Sequence, residues 1–142
     1  MKKITLLVSV IMATTFTAKA QCDKTIKWTC SKQEFLDTLG NFRNERDEAV
    51  EVITTPKKIS VMRHESEDQT LEGDITDYSC NWKDKQNGKI TFKSLLVDSK
   101  ENKTRHATIT IEAVNGKTSI LLRAEEEETV IKLDVDSYEE VK

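Results

Sequence analysis

The chain reads as an all-β protein: an antiparallel meander of about eight short strands, closed as a barrel or folded as a sandwich. Three observations carry that reading. Ala107, Ile109, Ile111 and Ala113 alternate with Thr108, Thr110 and Glu112, the period-two pattern of a half-buried strand. Asn115-Gly116 follows, a pair that accepts positive φ in a two-residue hairpin. Folding there sets Ile111 against Ile120, Ile109 against Leu122 and Ala107 against Ala124. Folding again at the acidic run 125–128 sets Leu122 against Ile131 and Ile120 against Leu133. Three strands then share one apolar face, and a one-residue slip would turn each set over.

Other elements follow with less constraint. Around Asn87-Gly88 a two-residue loop pairs Phe92 with Lys83, a poor match. A three-residue loop, with Gly88 left-handed, pairs Trp82 with Phe92 and Tyr78 with Leu96. A further hairpin at Thr54-Thr55-Pro56-Lys57 sets Val52 opposite Ile59 and Val50 opposite Val61. Residues 31–40 fit either of two readings. Ser31 and Glu34 form a capping box with Gly40 as a helix stop, or a strand runs from Ile26 through Phe35. The charged stretch 41–49 reads as a loop.

The first twenty residues have their own grammar. Lys2 and Lys3 precede the uncharged, mostly apolar run 4–16, and Ala18-Lys19-Ala20 is a small-x-small cleavage site. That order defines a secretory signal peptide, with cleavage between Ala20 and Gln21. The run is too short to span a bilayer, which takes about 20 residues. The exported chain is then 21–142, one β-rich domain, periplasmic or extracellular. Cys22 stands where a lipid-bearing cysteine would, although Gln21 replaces the small residue of a lipobox. Anchoring through Cys22 is the alternative to simple cleavage.

Losing Lys2, Lys3 and Lys19, with no acid among them, takes the net charge from −3 to −6. No basic stripe remains to neutralise phosphates, which argues against nucleic acid as a partner. No second apolar run is long enough for a transmembrane segment.

Ile26-Lys27-Trp28, followed by hairpin-joined strands, resembles the layout of small exported lipocalin-like barrels, with Ile26 in place of the family's glycine. The layout is also similar to that of bacterial exported domains without assigned function. The lipocalin-like resemblance implies a barrel able to carry a small apolar ligand.

Candidate chemistry is sparse. Of the three cysteines, Cys30 and Cys80 lie two residues from Trp28 and Trp82 on matching strand faces. This suggests a Cys30–Cys80 disulfide in an oxidising compartment. It would close a loop of about 50 residues worth on the order of 3–4 kcal/mol. Cys22 would be left free, lipidated or bonded elsewhere; the rival pairing is Cys22–Cys30. No Cys-x-x-Cys or His-x-x-x-His spacing supports zinc, and His64 and His106 read as solvated residues near strand ends. No serine elbow or Cys–His frame marks a nucleophile. The acidic run 125–128 lacks the alternating ligands and glycine turn of a calcium loop. Asn102-Lys103-Thr104 fits an N-linked sequon, and Asp37-Thr38-Leu39 resembles an O-glycan acceptor of some bacterial envelope proteins; each also reads as an ordinary turn or loop.

No catalytic residue, cofactor or metal is expected. The favoured expectation is a non-enzymatic envelope or surface interaction domain whose partner is another envelope protein, because the apolar set suits a filled core. The alternative is a lipocalin-like carrier with a cavity for a small apolar ligand, and an enzyme ranks last.

Overall fold

The computed structural model describes residues 22–64 and 69–142; the signal-peptide reading and the Ala20–Gln21 cleavage fall outside them. The order is β1 (Ile26–Leu36), β2 (Phe42–Thr54), β3 (Lys58–Arg63), β4 (Thr70–Trp82), β5 (Gly88–Asp98), β6 (Thr104–Val114), β7 (Lys117–Ala124) and β8 (Val130–Glu140). Each strand pairs antiparallel with the next, and β8 returns to β1, giving a closed barrel with no free end to the sheet order. Closure removes the exposed edges that invite aggregation.

The β6–β7–β8 meander has the expected register, residue for residue: Ile111 faces Ile120, Ile109 faces Leu122, Leu122 faces Ile131 and Ile120 faces Leu133. Asn115 and Gly116 both hold positive φ, 52° and 82°, as the tight turn requires. Ile109, Ile111 and Ile120 are fully buried, with Leu122 and Leu133 nearly so and Ile131 partly.

Three expectations need correction, and one open choice is decided. Residues 31–36 continue β1, as the strand reading from Ile26 through Phe35 has it, and the described residues contain no helix. The stretch 42–49 is strand, because β2 pairs with β1 along its whole length. The 55–57 hairpin sits where expected, but Val52 faces Val61 and Thr54 faces Ile59. That two-residue shift keeps every side chain on its face. The β4–β5 register differs more: Trp82 faces Gly88 and Cys80 faces Ile90, across a loop at 83–87. Gly88 is in the strand and has no positive φ. Its lack of a side chain admits the Trp82 indole, with which a Cβ would collide.

Two irregularities reset the alternation. Register shifts in β1 between Cys30 and Lys32 move the inward series from Cys30 to Gln33. A bulge in β4, with Asp77 at φ 50°, separates inward Ile75 from inward Tyr78.

The two ends of the barrel differ. The end bearing the hairpins at 55–57, 83–87 and Asn115-Gly116 is its base, plugged by aromatic rings. Trp28 lies 6.2 Å from Trp82 and 5.2 Å from Tyr138, and Tyr78 stacks 6.5 Å from Phe92 (centroid distances). Trp28 Nε1 donates to Thr54 Oγ1 at 3.0 Å. The opposite end, bearing the turns at 37–41, 99–103 and 125–129, is the mouth.

No helix of the described residues is long and apolar enough to cross a membrane. The outer wall carries ion pairs such as Lys27–Glu51 at 3.4 Å and Lys132–Glu34 at 3.6 Å, while the main apolar cluster lies inside. A membrane-spanning barrel has the opposite arrangement.

Candidate functional site: the mouth of the barrel

Along several strands the inward-facing series turns from apolar to polar at the mouth. Ile59 and Val61 lead to Arg63 in β3, and Leu96 leads to Asp98 in β5. Val52 and Val50 lead to Glu48 and Arg46 in β2, and Ile109 and Ala107 lead to Arg105 in β6. These ends enclose a cavity of about 390 Å³ to which all eight strands contribute. Its floor is Leu71, Leu96, Ala107, Leu122, Ala124 and Ile131; Arg46, Arg63, Gln69, Arg105 and Glu127 stand round it. The volume lies in the range typical of small-molecule sites.

The rim is one connected network. Arg63 donates from Nε to Glu48 Oε1 at 2.9 Å and from Nη2 to Oε2 at 2.7 Å. Gln33 Nε2 donates to the same carboxylate at 3.2 Å. Arg63 Nη1 donates to Gln69 Oε1 at 3.2 Å, and Gln69 Nε2 donates to Asp98 Oδ2 at 2.9 Å. The backbone N–H groups of Lys100 and Glu101 donate to Asp98 Oδ1 at 2.9 and 3.2 Å. The Glu48 and Asp98 side chains are each 1 % exposed, so their charges depend on these partners.

The Arg63 hydrogen bonds hold the Glu48 carboxyl below its ordinary pKa, against the opposing effect of burial. At Asp98 burial pushes upward, and the hydrogen bonds from Gln69, Lys100 and Glu101, with the charge of Arg105, bring it below the ordinary value.

Arg105 extends the network to the 125–129 loop. Its Nε donates to Glu127 Oε1 at 3.1 Å. Nη1 lies 3.8 Å from Asp98 and Nη2 3.8 Å from Glu101, beyond hydrogen-bond range. The preceding residue of the same loop, Glu126, accepts from the His106 backbone N–H at 3.0 Å and meets His106 Nδ1 at 2.6 Å. Its hydrogen bond and charge raise the His106 pKa. The acidic run is therefore a clip beside the mouth. His64 pairs separately with Glu51 at 3.3 Å, and no group of metal-ligating side chains occurs among the described residues.

The cysteines do not pair as expected. Cys80 is bonded to Cys22, with Cα atoms 5.9 Å apart, and Cys30 is a buried free thiol. The physical reason lies in the base. β1 and β4 are three strands apart round the barrel, and the Trp28 and Trp82 indoles meet across the space between them. Cys30 is fixed in β1, whereas Cys22 precedes the first strand and can reach Cys80. The Asp23 N–H donating to the Tyr78 hydroxyl at 3.5 Å and the Val141 N–H donating to the Thr25 carbonyl at 2.9 Å tie the same segment down. Burial, then the charges of Asp136 and Asp134, push the Cys30 thiol up to about 12. It is an apolar filler rather than a nucleophile.

Sequence reasoning missed the mouth because its residues look like solvated charges. The signal was present in phase: Ile59-x-Val61-x-Arg63 and Arg105-x-Ala107-x-Ile109 keep the inward spacing of two.

A second concavity, about 750 Å³, lies on the outer wall across β2 to β6, where outward-facing Ile53, Glu72, Lys93, Leu95 and Val97 line it. Leu95 and Val97 are exposed there. The mouth cavity, by contrast, is lined by residues of all eight strands.

The chain was compared with protein-family models, curated proteins and solved structures, and nothing matches.

Proposed function

We propose that the protein is an exported, non-enzymatic carrier that holds a small ligand with an apolar body in the mouth of its barrel. The observation that supports this reading most is the cavity, an apolar floor inside a polar rim to which every strand contributes. A filled core would leave no such space, so the carrier reading takes precedence over the interaction domain expected from the apolar set alone. The rim carboxylates Glu48 and Asp98 are fixed by their hydrogen bonds. They therefore serve structure better than proton transfer, which favours binding over catalysis.

Export is supported by the signal grammar and by the Cys22–Cys80 bond, which suits an oxidising compartment. That bond also occupies the sulfur a lipid anchor would need. Native mass spectrometry of protein recovered from its own host tests both points. The expected species begins at Gln21, carries an intact disulfide and releases a small molecule on denaturation. A ligand-free mass that also fails to bind an apolar fluorescent probe contradicts the carrier reading; a diacylglyceryl group on Cys22 contradicts simple cleavage.

The outer groove with Leu95 and Val97 favours a second reading, a surface for an envelope protein partner. Changing both residues to Ser would abolish such an association and leave ligand binding unchanged.

A further inference from the structure

Arg105 presents a guanidinium to the apolar cavity, and the group engaging its Nε is a carboxylate of the chain itself. Three features make that carboxylate exchangeable. Glu127 belongs to the 125–129 loop, outside the strands. Its side chain is 48 % exposed, and hydrogen-bonded ion pairs so open to water are weak. Glu126, not Glu127, clips the loop to His106, so releasing Glu127 does not require the loop to detach.

The other rim carboxylates are not exchangeable. Glu48 is held by Arg63 and Gln33, and Asp98 by Gln69 and two backbone N–H groups. The seat on Arg105 thus already accommodates one carboxylate, directly beside a cavity floored by Leu96, Leu122 and Ile131. Putting a ligand carboxylate in place of Glu127 leaves the charge at the guanidinium unchanged. It also lets Arg105 offer its Nη groups, which lie 3.8 Å from Asp98 and 3.8 Å from Glu101, to a head group in paired geometry.

We infer that the ligand is a carboxylate-headed amphiphile whose head displaces Glu127 from Arg105 while its apolar tail lies on the floor of the cavity. This rests on the carrier reading and adds the ligand's chemical class and the chain's own competitor for the seat.

Calorimetric titration of the disulfide-intact protein at pH 7.5 with decanoate, and separately with decan-1-ol, tests it. Decanoate binds on the order of tenfold more tightly than the alcohol, the gain expected of a charge-assisted hydrogen bond. Glu127→Gln strengthens decanoate binding several-fold and leaves the alcohol unchanged. A merely structural Glu127 would weaken both. Arg105→Gln removes the preference for decanoate and keeps the alcohol. Should that variant fold poorly, Glu127→Gln, on an exposed loop, still decides the matter. Equal affinity for the two ligands, with Glu127→Gln without effect, overturns the inference and leaves the carrier reading standing. Binding of neither ligand overturns both.

Discussion

The base and the mouth of this barrel are built from the same strands and held together by different physics. At the base, Trp28, Trp82, Tyr138 and Phe92 fill the lumen, and a disulfide of sequence separation 58 ties the N-terminal segment to β4. At the mouth, the inward positions are Gln33, Glu48, Arg63, Asp98 and Arg105, and the space they surround is left open. Apolar packing is nondirectional and stabilises in proportion to the area it removes from water. A hydrogen-bonded charge network contributes less net stability but fixes geometry, because every buried charge must keep its partner. A barrel with one end of each kind has a rigid foundation and a shaped opening.

The largest expected effect is at the base. Replacing Cys22 and Cys80 together by Ala costs about 4 kcal/mol in the chain-entropy model. Urea unfolding measures it, and a cost under about 1 kcal/mol would mean the bond adds little to the aromatic plug. Next, Ile111→Ala costs about 2–5 kcal/mol, because Ile111 is fully buried in β6. Thr110→Ala, on the outward face of the same strand, costs far less. Equal costs would show that the two faces are misassigned.

A smaller effect contrasts the ends directly. Ala113 is buried at the base and faces Gly88 across the β5–β6 pair, whereas Ala107 lines the cavity. Ala113→Leu overpacks and costs about 1–3 kcal/mol. Ala107→Leu grows into open space, shifts stability little and reduces ligand affinity. If both variants are destabilised alike, the mouth is as densely packed as the base.

The smallest effect is in acid. Glu48 and Asp98 have folded-state pKa values below their ordinary 4.5 and 3.8. Their contribution is therefore complete above those values and is lost as pH falls through the depressed ones. Methyl signals of Leu96 and Leu122 should broaden at a higher pH than the Trp28 and Trp82 indole signals. Simultaneous loss would mean that the two ends unfold as one unit.

What the sequence disclosed follows the same division. β6, β7 and β8 were legible to the residue, since Ile109 and Ile111 alternate with threonines in β6 and the Asn115-Gly116 turn then sets Ile120, Leu122 and Leu133 on the same inward face. The stretch 41–49 reads as a loop because its inward positions, Arg46 and Glu48, belong to the polar mouth, where hydropathy no longer separates the faces. Irregularities at Cys30/Lys32 and at Asp77 broke the alternation in β1 and β4. The β4–β5 register turned on an indole lying over Gly88, a contact that no local pattern encodes. The disulfide was misassigned for a related reason. Cys30 and Cys80 share a pattern with their tryptophans, but bonding depends on which sulfur can reach Cys80, and only the segment ahead of β1 brings one there.

The division between a sealed base and a receptive mouth is tested most directly by titrating decan-1-ol into methyl-labelled protein and following the NMR spectrum. The carrier reading predicts saturable shifts at Ala107, Leu122, Ala124 and Ile131, which line the cavity, while the Trp28 and Trp82 indole signals stay in place. Shifts confined to Leu95 and Val97 on the outer wall, or no saturable shift at all, would contradict it.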